Sequence, residues 1–220
     1  MTGSESESIV KVKILTEGTK PNVPLLAGIL LIPLALGTAL AFALRTIDNA
    51  NSYRETITSL VSADKHWTYL AVVVFGRTLT FLNLFPTGFK SHLKGNLRSN
   101  PFFYTVRDCT GEKDDNDTIV SFIEDGDIGK YNRANRSIHH MVENFGAFLI
   151  GTVLVGDVFP KSVFVLVCIF SLGRVLHQVG YTTRYGGHAA GFLLSIVLAN
   201  SMMEGFCLLI FLDGVGAVSL

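Results

Sequence analysis

Long apolar runs separated by polar segments dominate the hydropathy pattern of the chain. A helix that crosses a membrane needs roughly 20 mainly apolar residues, and five runs reach about that length. The predicted spans are Pro24–Leu44, Trp67–Pro86, about His140–Phe159, Ser162–Tyr181 and Ala189–Leu212. Five such runs fit poorly with buried helices of a soluble protein. The pattern therefore predicts an all-α, integral membrane helix bundle.

Composition supports a membrane protein and excludes some functions. Hydrophobic residues make up 49% of the chain and charged residues 16%, which is richer in apolar side chains than most soluble domains. Basic and acidic residues number 18 each, so there is no net field to attract nucleic acid, and we expect no nucleic-acid partner. Cys109, Cys168 and Cys207 lack C-x-x-C spacing, which predicts free thiols rather than a metal or redox site.

Basic residues predict the orientation of the bundle, because cytosolic connections are enriched in Lys and Arg. The connection Thr46–His66 carries only Arg54 and Lys65. The connection Thr87–Arg136 carries Lys90, Lys94, Arg98, Arg107, Lys113, Lys130, Arg133 and Arg136. We therefore predict that this long loop and the N-terminus are cytosolic. The sequons at Asn116 and Asn135 would then stay unglycosylated, and the loop's acidic half lacks the glycine and glutamate of a calcium-binding loop.

Ionisable residues inside the spans form two helical sets. Such residues are costly in a membrane and are functional candidates by default. The first set has i, i+3, i+4, i+7 spacing, which predicts one shared helix face, and comprises Arg136, His139, His140 and Glu143. The second has i, i+3, i+7 spacing and comprises Arg174, His177 and Tyr181. Both sets lie toward the cytosol, so we predict that they meet in a cationic pocket for a small anion that reacts with a lipophilic molecule.

A purely structural interpretation competes with this one. Arg136 would then lie at the headgroups, Glu143 would pair with Arg174 or Arg77, and the histidines would hydrogen-bond between helices. Arg77 lies in mid-span, and we predict it to be the internal partner of Glu143, because an unpaired charge there would be very costly. For the two faces together we favour a ligand site.

Two segments carry a resemblance to a known family. RSIHHMVENFGAFL from Arg136 and GRVLHQVGY from Gly173 resemble, in order and spacing, the second- and third-helix signatures of the MAPEG family, the membrane-associated proteins of eicosanoid and glutathione metabolism. The resemblance implies a four-helix membrane unit over residues 67–212 with a polar loop at about 87–135. It leaves a polar tail at 1–23, one additional membrane helix at 24–45, a connecting loop at 46–66 and a C-terminal tail at 213–220.

The resemblance also implies a function and a set of site residues. Family members include glutathione transferases and peroxidases that act on lipophilic electrophiles or lipid hydroperoxides, typically as homotrimers of the endoplasmic reticulum with glutathione as co-substrate and no metal. The positions matching glutathione-contacting residues are Arg136, His140, Glu143, Arg174, His177 and Tyr181. Cationic donors there would favour the thiolate of glutathione, since a thiol of pKa about 8.5 is mostly protonated at neutral pH.

Three departures from the family pattern bear on catalysis. His140 stands where the family usually has asparagine, and His188 and Ala189 stand where it commonly has the arginine and serine of the last helix. That arginine is tied to thiolate stabilisation in the family. The resemblance therefore gives Tyr181, Arg184 and His188 as the catalytic candidates, with Arg184 as a replacement from the same loop.

Other functions remain open at this stage. The departures favour a non-catalytic relative, either a lipid-binding scaffold or a small subunit of a larger membrane complex. A third interpretation makes imidazoles and a carboxylate the ligands of a metal, namely His139, His140, Glu143, His177 and His188. We expect no metal, because membrane metal sites usually need several His-rich clusters. A transporter is disfavoured because no internal repeat is visible.

Overall fold

A computed structural model describes residues 23–47, 50–90, 102–108 and 118–217 of the chain. Within these residues five helical segments are long and apolar enough to cross a membrane. They are α1 (Val23–Ile47), α3 (His66–Leu84), α5 (Gly126–Val158), α6 (Pro160–Thr183) and a final span made of α7 (Ala189–Phe192), a π-helical segment (Leu193–Asn200) and α8 (Ser201–Gly214). The predicted all-α membrane bundle is confirmed.

The connection between the first two spans is not the simple loop that we predicted. It contains a helix, α2 (Ala50–Ser62). Tyr53, Ile57 and Val61 recur every four residues along α2 and are exposed, so they form an apolar stripe. A search for long apolar runs overlooks such a helix, because it is too short and too polar to span a membrane.

The long polar loop also contains regular structure. A short helix, α4 (Thr87–Lys90), follows α3, and two antiparallel strands come later, β1 (Tyr104–Asp108) and β2 (Thr118–Phe122), with Tyr104 opposite Phe122. Helix α5 begins at Gly126, well before the predicted start near His140. Several residues discussed above lie outside the described part of the chain: the tail up to residue 22, Lys94, Arg98, Cys109, Lys113 and Asn116.

The hairpin is fixed to the start of α5 by the buried side chain of Asn132. Its Nδ2 donates to the carbonyl oxygens of Phe103 (2.7 Å) and Ile123 (2.9 Å), and its Oδ1 accepts from the Phe103 N–H at 3.0 Å. Arg133, the next residue, donates from Nε and Nη2 to carbonyls at the end of α6, with Nη2 at 3.0 Å from Thr182 O. A cation at a helix C-terminus satisfies carbonyls that lack a helical partner. The hairpin and the end of α6 thus form one unit.

Aromatic side chains from three spans form the centre of the bundle. Phe148 of α5 stacks on Phe170 of α6 at 4.1 Å between ring centroids, and Phe75 of α3 lies 5.8 Å from Phe170. All three side chains are buried. Because lipid is as apolar as these side chains, the contact stabilises the bundle through close packing rather than through removal from water.

Helix α1 lies at the outside of the bundle, and Arg77 of α3 points toward it. Arg77 Nη1 donates to the backbone carbonyl of Leu30 at 2.9 Å. The predicted pairing of Arg77 with Glu143 is therefore wrong. Glu143 Oε1 instead lies 3.6 Å from Nη1 of Arg136, which is two turns earlier on the same helix. A carbonyl of a neighbouring helix satisfies the mid-span guanidinium without a carboxylate.

The end of the bundle opposite the hairpin is held by crossing ion pairs. Lys65, before α3, contacts Asp157 at 2.5 Å, and Lys161, at the start of α6, contacts Asp64 at 2.7 Å. Thr68 adds a hydrogen bond to the carbonyl of Gly156 at 2.8 Å. These contacts join the start of α3 to the tight turn between α5 and α6.

Candidate functional site

The two predicted polar faces meet where α5 and α6 pack near the hairpin. Arg174 Nη1 lies 3.1 Å from His140 Nδ1, and Arg174 Nη2 donates to the carbonyl of Ser137 at 3.0 Å. The ring of His140 stacks on that of His177, with centroids 5.1 Å apart and planes 7° from parallel. Arg174 is fully buried, and His177 is 4% exposed. A guanidinium and two imidazoles thus share one interhelical space.

Tyr181 and His188 complete this group from the end of α6 and the turn that follows. The His188 ring lies 5.5 Å from the His177 ring and 5.2 Å from the Tyr181 ring, edge-on in both cases. The Tyr181 and His177 rings are 6.0 Å apart. We call the set His140, Arg174, His177, Tyr181 and His188 the polar cluster.

Close backbone approach places His188 in the polar cluster. A Cβ at Gly191 would lie 2.5 Å from both Gly173 O and His177 Cα, so only glycine lets α7 rest on α6 at this point. The preceding turn contains Gly186 in the left-handed region at φ 77°, a conformation that glycine adopts without steric cost. The turn and the contact together direct the chain back over the end of α6, which brings His188 beside His177.

Ser137 belongs to the site although the sequence did not single it out. Its Oγ lies 2.8 Å from His177 Nδ1, and its side chain is 1% exposed. Serine is common in helices, so its identity alone carries little information. Its position three residues before His140 on the face that contacts α6 is the signal that would have found it.

Four other predicted residues lie outside the polar cluster. Arg136 and Glu143 contact each other, and both side chains are about half exposed, at 52% and 54%. His139 was predicted on the shared face of α5, but its ring contacts Phe102 near the hairpin at 5.0 Å. Arg184 directly follows α6 and is exposed, and no described residue of the cluster hydrogen-bonds to its side chain. The expected replacement arginine thus lies outside the cluster in this single chain.

The MAPEG family model matches residues 115–203 of the chain. This part of the chain is similar to the MAPEG family. The matched region includes α5, α6, α7 and the π-helical segment, and therefore every residue of the polar cluster. The chain matches no curated protein and no solved structure.

The polar cluster contains nitrogen atoms that the described part of the chain leaves without hydrogen-bond partners. Arg174 Nε and His188 Nδ1 are enclosed and have no partner among the described residues. Buried polar groups without partners are rare in folded proteins and call for an explanation. Within the described residues no three His, Cys, Asp or Glu side chains are grouped to hold a metal ion. The arrangement suits a bound molecule with anionic or hydrogen-bond-accepting groups.

Proposed function

We propose that the chain is a glutathione-dependent membrane transferase or peroxidase that acts on hydrophobic electrophiles or lipid hydroperoxides. The observation that carries this proposal is the meeting of Arg174, His140, His177, Tyr181 and His188 at one point between α5 and α6. The match of residues 115–203 to the MAPEG family model supports glutathione as the small anionic partner. Membrane lipid surrounding the bundle would supply the lipophilic substrate.

The roles follow from the chemistry of the side chains. Arg174 suits a carboxylate of glutathione, because its Nε has no partner among the described residues and a charged guanidinium forms strong hydrogen bonds to carboxylates. We place the thiol beside Tyr181 and His188, because their donors would favour the thiolate over the thiol. The thiolate sulfur would then attack the electrophile from the lipid side, adding to it or displacing its leaving group. A lipid hydroperoxide would be attacked at its terminal oxygen, which breaks the O–O bond, releases the lipid alcohol after protonation and leaves a sulfenic acid that a second glutathione converts to the disulfide and water.

Arg136 and Glu143 enter the proposal through a neighbouring subunit. In one chain they form a half-exposed ion pair beside the cluster. Charged side chains that face lipid inside a membrane span are energetically costly, so we expect another subunit to cover this pair. A homotrimer would bring a second chain against this face of α5, and Glu143 would then be available for the amino group of glutathione. We place this assembly in the endoplasmic reticulum, with the hairpin and the cluster toward the cytosol, where glutathione is abundant.

Calorimetric titration of the detergent-purified protein with glutathione tests the proposal. We expect saturable binding that is lost in Arg174→Ala and retained in Arg77→Ala, which removes an arginine of another span whose partner is Leu30 O. Thermal unfolding of each variant distinguishes lost binding from lost folding, and Arg174→Lys tests whether charge without the guanidinium is sufficient. A well-folded wild-type protein that binds no glutathione would overturn the proposal.

A non-catalytic relative is the second candidate, and the exposed position of Arg184 favours it. The cluster then lacks the arginine that supports the thiolate in the family, and His188 stands at that position. Thiolate absorbance during glutathione titration separates the two functions. A working enzyme shows a thiolate signal in the wild type, whereas a lipid-binding scaffold or complex subunit binds without one. In that case His188→Arg is expected to create the signal.

A further inference from the structure

The hydrogen bond between Ser137 and His177 lies in a closed interhelical space. Ser137 Oγ and His177 Nδ1 are 2.8 Å apart, and both side chains are buried. A neutral imidazole carries its proton on one nitrogen only, so this bond has two arrangements. Either Ser137 donates to an unprotonated Nδ1, or a protonated Nδ1 donates to Ser137.

The surroundings of Ser137 favour the first arrangement. If Nδ1–H donated, the Ser137 hydroxyl hydrogen would need another acceptor, and no described residue accepts a second hydrogen bond from it. A buried hydroxyl hydrogen without an acceptor loses its hydration and gains nothing in return. Donation from Ser137 to Nδ1 satisfies both the hydroxyl hydrogen of Ser137 and the unprotonated nitrogen of His177. The proton of His177 then lies on Nε2, which has no partner among the described residues and is not an enclosed atom.

The contact between Arg174 and His140 leads to the same tautomer independently. A guanidinium is only a donor, so His140 Nδ1, 3.1 Å from Arg174 Nη1, must be the acceptor. A proton on that Nδ1 would place two donors against each other. Arg174 is in turn fixed by its second bond, from Nη2 to the Ser137 carbonyl at 3.0 Å. One residue, Ser137, therefore supports both imidazoles, through its hydroxyl and through its carbonyl.

We propose that Ser137 and Arg174 hold His177 and His140 as neutral imidazoles protonated on Nε2, so that the stacked pair offers two N–H donors to an acceptor group of a bound ligand. Ser137 is a positioning residue here, because it acts through His177. The ligand class is a molecule with an exposed anionic or carbonyl acceptor. The identification of this ligand as glutathione rests on the function proposed above. The assignment of the two tautomers is independent of that function.

Nitrogen NMR of protein labelled with ¹⁵N-histidine tests the proposal without any ligand. Long-range proton–nitrogen correlations distinguish a protonated ring nitrogen from an unprotonated one, and His140→Gln and His177→Gln variants assign the signals. We expect unprotonated Nδ1 and protonated Nε2 for both residues. Ser137→Ala should turn His177 into a mixture of tautomers and leave His140 unchanged, because the backbone carbonyl that orients Arg174 remains. Ser137→Thr should restore the wild-type signal.

Ser171→Ala is the matched control, since Ser171 is also a buried serine, lies on α6, and has an Oγ without a partner among the described residues. A protonated Nδ1 on His177 in the wild type, or a His177 signal that Ser137→Ala leaves unchanged, would overturn the proposal. Glutathione titration is read separately. If glutathione binds, Ser137→Ala is expected to weaken it about two- to tenfold, the usual effect of one hydrogen bond. If the wild type binds none, the proposed function fails while the tautomer result stands.

Discussion

Replacing Gly191 by alanine should separate the last span from α6 and disturb the polar cluster. The added Cβ would lie 2.5 Å from His177 Cα and from Gly173 O, whereas ordinary contacts of a Cβ lie at 3.4–4 Å. The obstructing atoms belong to the backbone of a packed helix, so no side chain can rotate away. The nearest atom, His177 N, would lie at 2.2 Å, so the two helices must move apart by about 1.2 Å to reach 3.4 Å, at a cost of about 1–3 kcal/mol.

The displacement should also weaken the function that the cluster serves. His188 lies three residues before Gly191 and contacts the rings of His177 and Tyr181, so a shift of α7 moves it directly. A misplacement of about 1 Å can reduce catalysis about 100-fold. We expect Gly191→Ala to lower thermal stability in detergent and to reduce glutathione-dependent turnover about 10- to 100-fold, by the same reasoning.

Gly205→Ala supplies the control for this prediction. Gly205 lies in α8 of the same span, and a Cβ there meets no atom within 4 Å. Alanine should be harmless or slightly stabilising at this helical position, because it lowers the backbone entropy lost on folding. Equal melting temperatures and equal turnover for Gly191→Ala and Gly205→Ala would refute the close-approach argument.

Three further predictions concern the packing of the bundle. Phe170→Ala should destabilise the protein by about 3–5 kcal/mol, measured by unfolding in detergent, whereas Phe211→Ala, at an exposed position, should cost little; equal effects would contradict the assigned core. A double-mutant cycle on Lys65 and Asp157 should give a coupling of at most about 1 kcal/mol, since the pair is partly exposed at 35% and 70%; a much larger coupling would show a desolvated pair. Asn132→Ala should release the hairpin and increase proteolysis at Phe103. It should lower the melting temperature of the bundle less than Phe170→Ala does. Unchanged proteolysis would show that other contacts hold the hairpin.

The sequence predicted the spans well because long apolar runs are a local property. Each of the five helices includes most of its predicted range, and the differences lie at the ends, as for α5, which begins at Gly126. The added turns of α5 are polar, and they are helical because they pack on the hairpin and on the end of α6 through Asn132 and Arg133. Hydropathy carries no information about such contacts. The same limit explains why helix α2 was overlooked.

Helical spacing predicted the centre of the site and failed at its edges. His140, Arg174 and His177 meet as predicted, because the polar faces of α5 and α6 are at the same end of the bundle. Arg136, His139 and Glu143 were predicted on the same face as His140, but all three lie outside the polar cluster. An α-helix rotates about 100° per residue, so Arg136 points about 40° away from His140, and His139 points about 100° away from it. The angle by which α5 faces α6 then decides which members are buried, and that angle is a tertiary property.

The partner of a charged residue in a membrane was the least predictable feature. Arg77 was paired with Glu143 on the ground that a charge needs an opposite charge, yet a backbone carbonyl of Leu30 accepts its hydrogen bond. Arg174 follows the same rule, with the Ser137 carbonyl and a histidine nitrogen as acceptors. Neither arginine has a carboxylate within reach among the described residues. Hydrogen bonds to neutral acceptors leave the positive charge of Arg174 uncompensated inside the cluster, and an anionic ligand would gain most from that charge, which is the physical reason for expecting one there.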